Sequence, residues 1–300
     1  MPDYDRQNLV CVATVLVVQC ALLWFASRAS GIAFGLAALL FAYTGLTVYA
    51  LMHEAIHENL HSDSRVNYLA GCLVSLLFPV SFTFMQIPHE VHHRNNRTNN
   101  EMFDYYYPDD NRLVKYAQWY SILIGIYPPI IPLGSILMAV VPGLFRLSPW
   151  RRARSSSIIF DQDLFTPAVV RRIRLEVLAG VAFWVLVVQW LSISWTALLV
   201  LYAAFWFNWS TRQYVTHAFS PRDVRDGAWN LSVSPLMERV LLNGHWDLVH
   251  HQYPGLRWQE LPAQGQHSQA PIPYWRQYLR LWGGPRPNTE VAPTALANVD

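Results

Sequence analysis

The sequence predicts an all-α fold: a polytopic membrane helical bundle of four transmembrane helices plus interfacial or re-entrant helices, with a cytosolic histidine-rich cap. Three observations predict it. Of the 300 residues, 53% are hydrophobic and only 14% are charged, against about 25% charged in ordinary soluble domains. Apolar stretches recur at roughly the 20 residues a helix needs to cross a bilayer. Ten of the 11 histidines fall in four clusters beside such stretches.

Residues 8–27 and 31–52 read as the first two crossings, joined by a link too short for anything but a tight helical hairpin. The start, MPDYDRQ, is acidic, which suits an uncleaved first helix better than a signal peptide. Residues 66–86 are apolar but contain Pro79, so an interfacial or shallowly dipping segment is expected there. Residues 119–145 are interrupted by Pro128, Pro129 and Pro132. Proline removes a helical hydrogen bond and clashes with the preceding turn, which predicts a re-entrant hairpin, with a kinked crossing as the alternative. Residues 177–191 and 195–215 read as a second membrane hairpin with its tip at Ser192 to Ser194. Residues 1–282 thus form one membrane domain. The stretch 283–300, rich in Pro, Asn, Thr and Ala, is expected to be a disordered tail.

Only this parity puts all four histidine clusters on one face. Seven arginines between Arg146 and Arg174 fall on the same face, which the positive-inside rule makes cytoplasmic. The 13 Trp and 15 Tyr suit interfacial anchoring. A net charge of only +2 gives no reason to expect a nucleic-acid partner. Cys11, Cys20 and Cys72 all lie in apolar segments and read as small buried hydrophobes.

The clusters are HEAIHENLH with His53, His57 and His61; HEVHH with His89, His92 and His93; the single His217; and HWDLVHH with His245, His250 and His251. His53 and His57 are four apart and share a helix face, with His61 on the same stripe if the helix continues. Pro88 suits the first turn of a helix. It would set His89, His92 and His93 at i, i+3 and i+4, a spacing that lets one helix feed two neighbouring metals. Asp247, His250 and His251 repeat that spacing. Imidazole is the commonest protein ligand for iron, zinc and copper, and no cysteine sits nearby to share the task. So many imidazoles exceed the needs of one ion. Glu54 and Glu90 suit hydrogen bonds to the free ring nitrogens of ligands. Asp247 offers a direct carboxylate ligand. Gln213 and Asn243 are polar groups able to reach a metal through water. An imidazole-rich set without sulfur favours an iron pair over structural zinc.

Taken in order and with their membrane spacing, HEAIH, HEVHH and the final D-x-x-HH resemble the membrane fatty acid desaturase superfamily. These are the histidine-box nonhaem diiron desaturases and their hydroxylase, epoxidase, acetylenase and ketolase relatives. The resemblance spans roughly residues 40 to 260. It includes HHRNNRTNNEMFD after the second box and HHQYPGLRW after the third. It implies a four-helix membrane bundle and two Fe ions with O2 as co-substrate. The implied metal ligands are His53, His57, His89, His92, His93, His217, His250 and His251. The third box departs from the usual H-x-x-H-H, having Asp247 in first place and His245 two residues earlier. Either Asp247 replaces an imidazole, or His245 supplies it through an altered turn.

The reaction this resemblance implies is oxygen-dependent desaturation of a fatty acyl chain. Hydroxylation or other oxygenation of a lipid or hydrocarbon, or acetylenation, is the alternative within the superfamily. The chain carries no flavin, nicotinamide or haem signature. An external electron donor of ferredoxin or cytochrome b5 type, with its reductase, is therefore expected. A metal-binding membrane transporter is the rival from another class. It is disfavoured because transporters place ionisable residues near mid-membrane, and these ligands gather at one end.

Overall fold

A computed structural model of the protein describes residues 4–146 and 164–296. Arg151, Arg152 and Arg154 of the basic stretch, and residues 297–300 of the tail, fall outside them.

Helices α1 (Tyr4–Ala26) and α2 (Gly31–Ile56) form the first hairpin. Gln19 is buried and clamps them together, its Nε2 donating to the Phe41 carbonyl and to Thr44 Oγ1 at 3.2 and 2.7 Å. At about 1.5 Å per residue, the 26 residues of α2 extend past a hydrocarbon core of roughly 30 Å. The helix is therefore longer than the core, and its polar residues His53 and Glu54 are gathered in its last turn. The helix stops at Ile56 with His57 as its cap, and Glu58 takes a left-handed turn at φ 59°.

A 14-residue helix, α3 (Ser64–Leu77), is capped by the Asp63 carboxylate. It meets α4 (Phe82–Asn95) at a bend of 100° around Pro79. The single dipping segment expected over 66–86 is therefore two helices at a sharp angle. Pro88 also lies inside α4 rather than in its first turn. The reason is an earlier start, set by the Ser81 cap and by a carboxylate from the next hairpin. Glu176 accepts hydrogen bonds from Tyr68 Oη, Thr83 N and Thr83 Oγ1 at 2.6, 2.9 and 2.6 Å. A negative group at a helix N-terminus is favoured by the helix dipole.

The stretch expected as a hairpin over 119–145 is α5 (Arg112–Leu123), a break, and α6 (Ile130–Val140). The Asn111 cap starts α5 earlier than the apolar pattern suggests, and Gly125, with φ 79°, and Pro128 and Pro129 make the break. At 11 residues, α6 is too short to cross.

The second hairpin is α7 (Pro167–Trp190) and α8 (Trp195–Gln213). Thr166 caps α7 before Pro167, so the helix begins well ahead of its apolar part and carries exposed Arg171, Arg172 and Arg174. Among the described residues, α1, α2 and α7 are each long and apolar enough to cross a membrane. The fourth expected crossing, α8, falls short in hydropathy because Asn208, Ser210, Thr211, Arg212 and Gln213 fill its last turns. It nevertheless runs back along α2. A Cβ on Gly45 would lie 2.3 Å from the Phe205 ring, so only glycine admits this approach. Edge-to-face rings at 5.2 Å (Phe41–Tyr202) and 5.1 Å (Tyr49–Trp209) continue the contact along the helices.

The tips of the two hairpins touch. Ser194 N donates to Ser27 Oγ at 3.0 Å, and Arg28 Nη2 to the Leu191 carbonyl at 3.1 Å. The opposite ends of α2 and α8, with their histidines, therefore share the other end of the bundle.

That end is closed by loops carrying α9 (Pro235–Val240), α10 (Asp247–Gln252), α11 (Leu261–Gly265) and α12 (Tyr274–Leu281). Two short parallel ladders stitch it: β1 (Tyr105–Tyr106) with β4 (Arg286–Pro287), and β2 (Leu231–Ser232) with β3 (Ile272–Pro273). The first of these draws in residues of the stretch expected as a tail from residue 283. Arg286 lies over the Phe219 ring at 4.2 Å, Asn288 N donates to the Tyr106 carbonyl, and Leu296 N donates to the Arg94 carbonyl.

Candidate metal centre

Eight imidazoles converge as two adjoining groups. Ligand nitrogens of His53, His57, His89, His93 and His250 lie within 4.8 Å of one another, and so do those of His92, His217 and His251. Helix geometry explains the division. Successive residues turn by about 100°, so residues four apart nearly superpose and neighbours diverge. On α4, His89 and His93 therefore face one point and His92 another. On α10, His250 joins the first group and His251 the second. Asp247, four before His251, is carried to the second group: its Oδ2 is 3.2 Å from His217 Nε2 and 4.0 Å from His251 Nε2. The groups touch where His93 and His251 stack with centroids 4.4 Å apart.

The donor set suits cations. His57 Nε2 is 2.8 Å from His89 Nε2, which is 3.1 Å from His93 Nε2, itself 3.1 Å from His250 Nε2. A neutral imidazole has one donor and one acceptor nitrogen, so such a knot cannot be satisfied by its own hydrogen bonds. Asp247 Oδ2 and His251 Nδ1 are buried without a hydrogen-bond partner. Burial first, then the neighbouring imidazoles, pushes His57, His250 and His251 well below the ordinary histidine value. His217 is likewise lowered, by burial and then His92. All four are held neutral, the form that binds metal. Burial raises Asp247 to about 6, against a hydrogen bond from Thr216 and the charge of His92. A cation beside it would offset the cost of burying the carboxylate. The residues present therefore fit two imidazole-rich divalent ions.

Outer partners fix the tautomers. His217 Nδ1 faces the Gly227 carbonyl at 3.3 Å. A carbonyl only accepts, so Nδ1 carries the proton and Nε2 keeps its lone pair for the second group. Glu101 Oε2 does the same for His92 Nδ1 at 3.2 Å. Gly227 admits no side chain, since a Cβ would sit 2.1 Å from the Asp223 carbonyl and 2.2 Å from Arg97 Cγ. Behind these lies a buried ion pair. Arg97 donates to both Asp104 oxygens at 2.8 and 3.0 Å, and to Tyr214 Oη and the Ser220 carbonyl. It ties the exit of α4 to the turn bearing His217. The histidine spacing alone gives no role to Glu101, Arg97 or Asp104. Their signal is a charged run directly after the second histidine box.

Other expected residues lie elsewhere. His245 is buried but outside both groups, its ring against Trp246 at 5.5 Å and its Nδ1 unpartnered. His61 leaves the stripe because α2 ends before it, and its Nε2 lies 3.9 Å from Asp5. Glu54 accepts from Trp258 N at 3.1 Å. Glu90 is exposed. Gln213 donates to Tyr49 Oη and Asn243 to the Trp258 carbonyl, both at 3.0 Å.

A cavity of about 440 Å³ reaches both groups and is lined by His53, His89, His92, His217, His250 and His251. Its walls divide by chemistry. From α4 and α6 come Phe84, Met85, Ile130, Ile131, Leu133 and Leu137. From the end of α8 and the cap come Arg212, Gln213, Thr216, His245 and Tyr274.

No curated protein matches the chain significantly. The family model described as "Fatty acid desaturase" matches residues 30–281, which include all eight clustered imidazoles and Asp247. The protein is therefore an integral membrane member of the fatty acid desaturase family, a family of oxidoreductases.

Proposed function

We propose that the protein is an oxygen-dependent diiron oxidase that introduces a double bond into a fatty acyl chain. The observation that carries this reading is the pair of imidazole groups on the wall of one largely apolar cavity. In this reading His53, His57, His89, His93 and His250 hold one iron, and His92, His217, His251 and Asp247 hold the other. Asp247 rather than His245 takes the first place of the third box, since it lies within 3.2 Å of His217 Nε2. When bound, the iron pair supplies the reduction of one dioxygen to two waters.

Two electrons and two protons come from the substrate's adjacent methylenes as they become an alkene. Two further electrons come from an external donor of ferredoxin or cytochrome b5 type, and two further protons come from solvent. Gain of one oxygen atom with one water released would be hydroxylation instead. The chain's own work is to hold the reacting methylenes beside the ligands and keep bulk water out. Phe84, Met85 and the α6 side chains supply the apolar wall for that. We further propose that α8 is the fourth crossing, because it returns along α2 after a four-residue turn at 191–194. The histidine end would face the cytoplasm, with Arg171, Arg172 and Arg174 at the entry of α7 as positive-inside anchors. Gathering of the ligands at one end of the bundle tells against metal transport.

The test is expression with an electron donor, followed by lipid extraction and mass comparison with a His92→Ala control. Loss of two hydrogens supports desaturation, and gain of one oxygen replaces it by hydroxylation. Identical lipid profiles across substrate backgrounds would overturn an acyl-lipid oxidase.

A further inference from the structure

The cavity contains a cation that the iron chemistry does not use. Arg212 is part-buried at the end of α8, and among the described residues it is the only Lys or Arg lining the cavity. Its hydrogen-bond partners are all neutral. Nε donates to Asn208 Oδ1 at 2.8 Å, Nη1 to Tyr274 Oη at 2.9 Å and Nη2 to Tyr43 Oη at 3.2 Å. The Tyr43 and Tyr274 rings also flank it, with centroids 5.5 and 5.4 Å from Cζ. It forms no ion pair with any described carboxylate. A charge withdrawn from water and left without a counter-charge is costly, and such residues at a membrane edge mark ligand sites.

Guanidinium geometry says what is missing. Of five N–H donors, the three neutral acceptors engage one on each nitrogen. One hydrogen remains on each terminal nitrogen, and a carboxylate or phosphate is the partner that guanidinium donors and charge both suit. The tyrosines and Asn208 hold the fork in orientation without neutralising it. The carboxylates that line the same cavity, Glu54, Glu101 and Asp247, form no ion pair with Arg212; Glu54 accepts from Trp258 N, and Glu101 and Asp247 lie against imidazoles.

We infer that Arg212, steadied by Tyr274 and Tyr43, is the specificity-determining residue that binds the anionic head of the substrate, a carboxylate or phosphate. The tail is then directed along the apolar α4 and α6 wall past the imidazoles. This rests on the proposed acyl-lipid reading, and it adds that the head is charged and sits inside the protein rather than in the bilayer.

The test uses the iron-loaded full chain in neutral detergent. The probes share one alkyl chain and differ at the head: free acid, methyl ester, alkyl phosphate and alcohol. Equilibrium binding and KM are measured for the parent protein, Arg212→Gln and Arg212→Lys. The parent should prefer acid over ester, or phosphate over alcohol, by tenfold or more; which pair shows the preference identifies the source. Arg212→Gln should abolish it, raising KM and Kd for the charged probe by tenfold or more relative to its neutral partner. Arg212→Lys should keep part of it, which also reports that the fold survives. Equal binding of all heads by the parent overturns the proposal. So does a preference untouched in Arg212→Gln, or an effect of that variant confined to thermal stability in anionic-lipid nanodiscs. Arg212-dependent binding of the acid without oxidation of any probe upholds the head site while refuting the oxidase reading.

Discussion

Asp247 Oδ2 and His217 Nε2 approach to 3.2 Å, yet the carboxylate oxygen has no hydrogen-bond partner. Two acceptors set this close and unbonded are arranged to share a third atom. Desolvation raises Asp247 from 3.8 to about 6, which corresponds to about 3 kcal/mol for the charged form at neutral pH. Asp247→Asn should therefore raise the thermal stability of the metal-free protein at pH 7. The same variant should lower bound iron toward half. Iron analysis beside calorimetry checks both; unchanged iron content would remove Asp247 from the ligand set.

In the proposed centre Glu101 would act on the metal through His92, whose Nδ1 it faces at 3.2 Å. Replacing Glu101 with Gln keeps the shape but weakens the charge-assisted hydrogen bond to Nδ1. An outer partner of this kind is worth roughly 10- to 100-fold in metal affinity or activity. The expected result is a fall of that size in turnover with little change in stability. A stability loss with unaltered iron affinity would mean that Glu101 merely packs.

The Arg97–Asp104 pair is fully buried on both sides. Removing one partner strands the other charge, at a cost of about 3–5 kcal/mol. Arg97→Met should thus destabilise the cap strongly, and the double variant with Asp104→Leu should recover much of the loss. A double-mutant cycle measured by denaturation gives the answer, with additivity as the contrary outcome.

Metal retention should depend on pH in a defined direction. His57, His217, His250 and His251 are held neutral by burial, below the ordinary value of 6.5. The unfolded chain therefore takes up protons first as pH falls. Their contribution to stability is complete above 6.5 and is lost progressively below it. Asp247 runs the other way, its contribution present below 3.8 and lost as pH rises through about 6. Four histidines outweigh Asp247 and His92, which burial lowers but Glu101 raises further, so iron retention should be complete above 6.5 and weaken progressively as pH falls below it. Iron remaining after dialysis across this range reads it directly.

His245 and His250 offer a matched comparison. Both are buried, but only His250 joins a metal group. His250→Ala should lose iron, whereas His245→Ala should keep it.

How far the sequence reaches can be judged from these residues. The spacing of His89, His92 and His93 is enough to show that one helix serves two points, because 100° steps follow from helix geometry alone. The same arithmetic on Asp247 and His251 supports the proposed choice of Asp247 over His245 only once α10 is known to begin at Asp247. The end of α2 decides His61, and it is set by the Glu58 turn and by Asn59 reaching the Pro254 carbonyl, about 200 residues away in sequence. No local pattern carries such a contact. Glu101 replaces Glu54 and Glu90 beside a ring for the same reason: proximity in sequence to a histidine says little about which carboxylate folds back upon it. The early starts of α4, α5 and α7 come from the Ser81, Asn111 and Thr166 caps, which apolar periodicity does not register.

The glycine contact between α2 and α8 has a consequence for traffic. With Phe205 against Gly45, and the Phe41, Tyr202, Tyr49 and Trp209 rings interlocked along the same seam, no gap remains there for a hydrocarbon chain. That side of the bundle is closely packed. Phe84 and Met85 of α4 and Ile130, Ile131, Leu133 and Leu137 of α6 give the cavity apolar walls elsewhere. In the acyl-lipid reading proposed above, the tight seam would leave α4 and α6 to guide the tail, and so to set which stretch of it comes to rest beside the imidazoles.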